Sequence, residues 1–484
     1  SGGADTNESN AANSIVANSV RFRPINPIDS SNDDDDESNT TRQYNPLERL
    51  DATYKKKYDF KQNYNAGLDW TPIKGLTFRS EFGYGWRRVD TDQVWESPAV
   101  QNSSLGDNGM PQVVLTRVVN KNWRNANTVT YDGKLFEGRD RINVLLGHEV
   151  QSSRQDQHIN TATAFPSTMT RDEVLANMGA AGTTHPVQST LGAEDNMLSF
   201  FGRLNYTMMD KYLLTVTMRA DGSTKFAPGN QWGYFPSVSG AWVLSREGFL
   251  ENNALISNLK LRAAIGLAGN NRIDDDQWRF LYSVNATGGP GFGEATQYGE
   301  QWFSVSDGKK FPNTKIKWET TLTRNVALDI SLFGDRLTIT PEFYWNTTKD
   351  LLYESVIPST MGFTKQMQNI GQVTNKGIEL SINGDILRGK DYVLSANFTF
   401  GMNKMKIDKL NDTDDILWIL DDRWKPDYDN YCLRVGDQVG LIYGFVYDGL
   451  YSPDEFYFDP TQNFLAVPNE GTVINTCLLY TSPS

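Results

Sequence analysis

The sequence predicts an all-β protein, a transmembrane antiparallel β-barrel, and three observations carry that prediction. Segments of roughly ten residues alternate apolar and polar side chains along most of the chain, the period-2 pattern that puts one set on each face of a sheet. The connections between these segments alternate short and long, as in outer-membrane barrels, which have short turns on the periplasmic side and long loops outside. Aromatic residues reach 12%, with 12 Trp and 21 Tyr, enough to furnish girdles at two membrane interfaces.

Composition narrows the alternatives. Hydrophobic residues make up 38% of the 484-residue chain and the mean hydropathy is -0.51. No apolar run approaches the roughly 18 residues that a spanning helix needs. A barrel strand meets lipid with every second side chain only, so its overall composition stays polar. The net charge of -13 disfavours nucleic-acid binding, which needs a basic surface. Two cysteines, Cys432 and Cys477, build neither a disulfide framework nor a structural zinc site, and Cys432 is expected to be a free thiol. Three histidines (His148, His158 and His185) leave little for metal or triad chemistry, so no cofactor, metal site or catalytic residue is expected.

Residues 1–58 read as a polar extracellular loop region. Their acidic run, Asp33 to Glu37, raises calcium binding, but it lacks the glycine and distal glutamate of an EF-hand loop. A like-charge run of this kind is expected to be a solvated loop. Strand pairs then follow in order: Tyr64 to Trp70 with Leu76 to Tyr84, and Thr128 to Phe136 with Ile142 to Val150. The clearest hairpin sets Leu198, Phe200, Leu204 and Tyr206 on one face and returns through Met209-Asp210 into Tyr212, Leu214, Val216 and Met218. Val238 to Leu244 pairs with Leu259 to Leu267. Leu322 to Leu332 turns at Gly334-Asp335 into Leu337 to Trp345, and Ile378 to Ile382 pairs with Tyr392 to Phe400. The count is about a dozen strands.

Short turns are expected at Pro72 to Gly75, Gly138-Arg139, Met209-Asp210, Gly334-Asp335 and Leu387 to Gly389, with a longer one over Arg246 to Ser257. Long polar loops are expected at Arg87 to Trp123, Gln151 to Asn196, Gly269 to Lys315, Thr347 to Thr374 and Lys406 to Val439, and a medium one at Asp221 to Gln231. The segment Gly288 to Gly293 is glycine-rich but lacks the Lys-Ser/Thr of a phosphate loop; it reads as part of an outer loop. A soluble β-sandwich or propeller is the plainer alternative, but its loops need not alternate in length. Residues 452–484 lack the alternation and read as a loop and a doubtful tail. No export signal opens the chain, so a processed or partial chain is expected, and a partial one is preferred.

Several stretches resemble the SusC/RagA family of TonB-dependent outer-membrane transporters. They are Arg219-Ala220-Asp221-Gly222-Ser223-Thr224-Lys225-Phe226, then Trp232-Gly233-Tyr234-Phe235-Pro236-Ser237, then Leu259 to Arg262 running into Gly269-Asn270. Further on come Pro312-Asn313 with Lys317-Trp318-Glu319, Asn375-Lys376-Gly377-Ile378-Glu379, and Tyr443-Gly444 to Asp448-Gly449. These blocks keep the family's order between about Asn45 and Tyr451.

The resemblance implies that 59–451 is part of a barrel of roughly 22 strands, of which this chain supplies about half, without the plug and the last strands. It implies import of glycan oligosaccharides or peptides, a SusD-like surface lipoprotein as lid, and energy from the TonB–ExbB–ExbD complex acting through the plug. The rivals are a secreted soluble β-protein that degrades or binds glycans, and a TonB-linked receptor for another cargo. The matched residues read as architectural. Gly222, Gly233 and Gly269 suit turns or close backbone approach, Pro236 suits a strand start, and Trp232, Trp242 and Trp318 suit interface belts. Arg203, Arg219, Arg262, Glu319, Glu342 and Glu379 are expected on the lumen wall. Trp278, Tyr298 and Trp302, in one outer loop, are the candidates for stacking on a sugar.

Overall fold

The computed structural model describes residues 46–96, 110–250, 253–280, 310–358 and 365–410, with shorter pieces at 282–285, 295–298, 301–305, 360, 363, 416–419, 431–445, 456–459, 465–468 and 479–481. Twelve long strands run through them: β1 (Thr53–Ile73), β2 (Leu76–Trp95), β3 (Gln112–Leu135), β4 (Asp140–Thr163), β5 (Asp195–Met208), β6 (Tyr212–Ser223), β7 (Trp232–Val243), β8 (Ile256–Asn270), β9 (Glu319–Leu332), β10 (Leu337–Lys349), β11 (Gln372–Arg388) and β12 (Val393–Lys409). Each pairs antiparallel with its neighbours in sequence, and two short strands at 183–184 and 188–191 add to β4. Among the described residues no ladder joins β1 to β12, so the sheet is an open arc. Strand β1 begins inside the segment 1–58 that reads as loop, and the acidic run at 33–37 lies outside the described residues.

The alternation of side chains survives across the whole arc. In β6, Leu214, Val216 and Met218 are 40%, 36% and 45% exposed, while Leu213, Thr215 and Thr217 between them are half-buried. The register carries this outer stripe from strand to strand. Leu204 faces Val216, Val216 faces Val238, and Val238 faces Ile265. Val326 faces Phe343, Phe343 faces Ile378, and Ile378 faces Met402. No second sheet covers this stripe among the described residues. A continuous uncovered apolar belt of this extent needs a non-aqueous neighbour, and lipid is the neighbour that a barrel wall provides. At the turn end of the belt, Tyr212 stacks on Trp242 with centroids 6.2 Å apart, and Glu247 accepts from the Tyr212 hydroxyl at 2.8 Å and Trp242 Nε1 at 3.1 Å. This is an interfacial aromatic pair with one apolar side and one wet end.

The short connections hold left-handed corners. Met209 and Asp210 take φ of 51° and 57°, and Phe333, Gly334 and Asp335 take 56°, 65° and 64°, the sign that matches the right-handed twist of flanking strands in a tight hairpin. Two turns sit off the expected residues. The corner expected at Gly138-Arg139 begins earlier, with Phe136, Glu137 and Gly138 all at positive φ. Strand β11 runs through Arg388, so its turn follows at 389–392.

The largest departure from the sequence reading is strand length. Strands β1 to β4 run 20 to 24 residues, consuming much of what reads as the loops Arg87 to Trp123 and Gln151 to Asn196. The reason is physical. Beyond the belt there is no lipid to impose an apolar–polar period, so the period disappears; charge pairs hold the sheet there, and a loop-covered cluster around Val94, Val113 and Phe165 caps its upper end. Across strands, Arg87 Nε donates to Asp59 at 2.8 Å and Arg117 Nε to Asp90 at 2.8 Å; along one strand, Arg154 Nε donates to Asp156 at 2.7 Å.

Candidate functional site

Four of the six motif blocks, those between Arg219 and Glu319, converge on the long-loop end of β5 to β9, where they build an apolar knot on the polar face of the wall. Phe226, Phe235, Ile273, Ile316 and Trp318 form one buried cluster. The Trp318 ring lies 5.3 Å from Phe226 and 5.4 Å from Phe235, and its Nε1 donates to the Gln231 carbonyl at 2.8 Å. Trp318 is therefore not an interface-belt residue: it is 7% exposed. Trp232 does face outward, stacked on Phe200 at 6.2 Å.

The glycines of the motifs make room for these rings. A Cβ on Gly269 or Gly233 would lie 2.1 or 2.4 Å from the Phe235 ring, and one on Gly222 would lie 3.1 Å from Trp232. None of the three has a positive φ, so close approach is their role and a turn is not. Gly377 does the same for Tyr344, whose ring would sit 2.5 Å from an added Cβ. Pro236 lies inside β7, but at the point where pairing to β8 starts: Ser237 faces Gly266, and the residues before it have no partner in β8. Its missing N–H costs no ladder bond there.

Polar groups stitch the knot to its loops. Arg219 Nε donates to Asp221 at 2.7 Å and its Nη2 to Ser199 Oγ at 2.9 Å, and Asp221 and Ser199 are both buried. Asn270 Nδ2 donates to Glu319 at 3.1 Å, and the other Glu319 oxygen accepts from the Leu352 amide at 3.0 Å. Lys225 reaches the Ile273 carbonyl at 2.9 Å. Asn369, which the sequence reading did not single out as a site, accepts from the Lys317 amide at 2.8 Å and donates to the Lys317 and Asp350 carbonyls at 2.8 and 2.9 Å. Half-buried, it ties two loops by their backbones; the one sequence signal for it is that Asn369-Ile370-Gly371 belongs to the same stretch of family resemblance as Asn375 to Glu379. Above it, 310–311, 365–369 and 352–356 form a small loop sheet, where Glu354 bridges Lys310 at 2.7 Å and Lys365 at 3.0 Å. Burial alone would raise the Glu354 carboxyl, but the two lysines outweigh it and hold it below the ordinary range.

Further along, the polar face is an ion-paired wall. Arg262 reaches Asp329 at 3.3 Å and Glu342 at 2.8 Å. Glu342, which also accepts from Asn325 at 2.7 Å, stands opposite Glu379 in register. Asn375 accepts from Asn403 at 3.0 Å. Beside β1 to β4 this face carries a groove of about 720 Å³ walled by amides, glycines and paired charges, among them Asn63, Asn65, Gly83, Asn122 and Arg124. Arg124 is held by Glu149 at 2.6 Å.

Trp278 is half-buried in its loop, with the Arg279 guanidinium 5.7 Å over its ring and its Nε1 buried without a hydrogen-bond partner in the protein. The backbones at Tyr298 and Trp302 pair within a three-stranded sheet separate from Trp278. Gly444 lies in a short strand paired to 479–481, and Asp448 and Gly449 lie outside the described residues. Among the described residues no cluster of side chains has the makings of a metal site, and Cys432 is a buried free thiol.

The family model described as TonB dependent receptor-like, beta-barrel, matches residues 2–468. The chain is 30% identical over 403 residues to the TonB-dependent receptor P3 of Formosa agariphila, covering 83% of this chain and 38% of that protein. It is 38% identical over 232 residues to the TonB-dependent receptor SusC of Bacteroides thetaiotaomicron, covering 47% of this chain and 22% of that protein. In fold it is similar to the RagAB peptide transporter, with a TM-score of 0.70 at 23% identity over 84% of this chain and 42% of that one. The chain thus spans well under half the length of these relatives. With its apolar outer belt, polar inner wall and looped rim, the chain belongs to the family of TonB-dependent receptor β-barrels of the outer membrane.

Proposed function

We propose that this chain is the wall and part of the mouth of an outer-membrane importer that takes up glycan oligosaccharides or peptides too large for passive pores. The observation that carries this reading is the pairing of a lipid-facing belt with a polar inner wall whose loops are knotted into a fixed rim at one end only. A fixed rim gives a lid protein a surface to close on, and a wide polar wall lets a hydrated cargo pass without covalent chemistry. The lid is a SusD-like lipoprotein, and a plug pulled by the TonB–ExbB–ExbD complex opens the passage. A TonB-dependent receptor, SusC, is one of the chain's relatives, which supports TonB-driven import, and a peptide transporter shares its fold, which is compatible with a peptide cargo. Trp278, Tyr298 and Trp302 are the aromatic candidates for contact with a sugar.

The test is uptake of labelled oligosaccharides and oligopeptides by cells that carry the receptor, with and without a proton gradient. Uptake that needs the gradient and is lost when the lid gene is deleted supports the proposal. Recovery of the receptor from the aqueous phase without detergent, with glycan-hydrolysing activity, would overturn it in favour of a secreted enzyme.

A further inference from the structure

The inner wall of the arc has two sectors, which differ in whether their polar side chains already have partners. Over β8 to β12 the polar groups are paired. Asn325 donates to Glu342 at 2.7 Å, Asn403 donates to Asn375 at 3.0 Å, and Arg262 is shared between Asp329 and Glu342. Over β1 to β4 the same face carries six carboxamides. Asn63, Gly85 and Asn122 stand in one row of the ladder, Asn65, Gly83 and Gln151 lie in the next, and Asn120 faces Gln155 in the row above. None of the six amide side chains has a hydrogen-bond partner among the described residues.

The local geometry keeps these amides available. A Cβ on Gly85 would collide with the Asn122 carboxamide, and one on Gly83 would lie 3.0 Å from Asn65 Oδ1, so the two glycines leave the amides room to lie across β2. They floor the groove of about 720 Å³, which continues toward the rim into a second of about 490 Å³. The arginines in and beside these rows are paired in place: Arg79 with Glu81 at 2.6 Å, Arg124 with Glu149 at 2.6 Å, and Arg87 with Asp59 at 2.8 Å. Within β1 to β4 the three rows hold no apolar side chain larger than glycine. A carboxamide offers two donors and an acceptor, and in water it exchanges one polar partner for another at small net gain. A neutral cargo rich in hydroxyls meets a partner at every step along such a surface and is nowhere held tightly.

We infer that this sector is a hydrogen-bonding track for neutral oligosaccharides, along which sugar hydroxyls pass from one carboxamide to the next through the lumen. The inference rests on the import reading and narrows its cargo. A peptide finds less here: no apolar pocket takes its side chains, and the arginines that would meet its carboxylates are occupied. The sector over β8 to β12, saturated by its own pairs, acts as plain wall.

The test measures initial uptake of a labelled neutral oligosaccharide, and of an oligopeptide of similar length, by energised cells that carry the complete receptor and its lid. The triple variant Asn63→Ala/Asn65→Ala/Asn122→Ala slows the oligosaccharide about tenfold, the scale of three neutral hydrogen bonds of modest net strength, and leaves peptide uptake as it was. Asn122→Leu, close in shape and inert in hydrogen bonding, slows it about twofold and guards against a folding defect in the triple variant. Rates are taken per receptor found in the outer membrane. Unchanged oligosaccharide uptake in both variants overturns the inference, as does equal slowing of the two cargoes. Cross-linking of Asn122→Cys to the plug with cargo bound as readily as without it also overturns it, because the amides then serve the plug. An unmutated receptor that imports peptide but no oligosaccharide overturns it and leaves import standing; one that imports neither removes both readings.

Discussion

Two regions of the arc carry the strands out of the membrane, and they do so by different physics. Over β5 to β9 the strands end soon after the belt, and the loops fold back into a buried knot around Trp318. Over β1 to β4 the strands continue well past the belt, held by cross-strand ion pairs such as Arg87–Asp59 and capped at their upper end by a smaller buried cluster around Val94, Val113 and Phe165. The first solution depends on shape: Gly233 and Gly269 make room for the Phe235 ring, and Gly233 also for Trp318. The second depends on charge sign and tolerates exchange. Most of the motif blocks fall on the first region, because a knot that fixes loop positions admits few alternative residues, whereas a charge ladder admits many.

Trp318→Ala should expose the difference most strongly. Truncating a buried tryptophan costs about 3–5 kcal/mol, and here it also strips the Gln231 carbonyl of its donor. The expected outcome is early protease cleavage in 271–318 with the membrane part of the barrel intact, read by limited proteolysis of the receptor in detergent. Wild-type cleavage kinetics would dissolve the distinction between the regions. Gly269→Ala should be the next largest, at about 1–3 kcal/mol for overpacking, because its methyl meets the Phe235 ring; the double variant Gly269→Ala/Phe235→Leu should recover part of the loss in chemical denaturation.

A smaller effect should follow acidification of the loop sheet. The carboxyl of Glu354 is held below its ordinary range by Lys310 and Lys365. A depressed carboxylate contributes its full stability above the unfolded value of about 4.3, and that contribution is lost as pH falls through the folded value. Hydrogen exchange in 352–356 should therefore stay flat from neutrality to mildly acidic pH and rise below it, and Glu354→Gln should remove the step. The smallest effect belongs to the ladder. Arg87→Gln breaks one solvent-screened pair, which contributes little, and should leave proteolysis of the wall nearly unchanged; a large loss would mean that the ladder is as exacting as the knot.

The belt was legible in the sequence because lipid on one side and water on the other impose a period of two. Leu214 to Met218 and Val326 to Ile330 show it without help from any structure. The upper halves of β1 to β4 were not legible: with no lipid the period of two is lost, the cover over Val94 and Val113 comes from the distant loop residues Phe165 and Val174, and the pairing of Arg117 with Asp90 is set by register between residues 27 apart in sequence. Trp318 reads like Trp232 in sequence, an aromatic beside a strand end. Only the return of the loop over Gly233 and Gly269 separates a buried ring from a lipid-facing one. Trp278, Tyr298 and Trp302 shared a loop in the reading, and the structure gives the latter two a small sheet of their own.

The open arc has a consequence for assembly. Among the described residues, the backbone along 64–70 of β1 and 396–402 of β12 is zipped to a neighbour on one flank only. In hydrocarbon each orphaned amide or carbonyl costs several kcal/mol, so neither flank is tolerable at bilayer depth until another strand docks there. Insertion of this wall is thus tied to ring completion: the seam must be sewn before, or as, the acyl chains close around it.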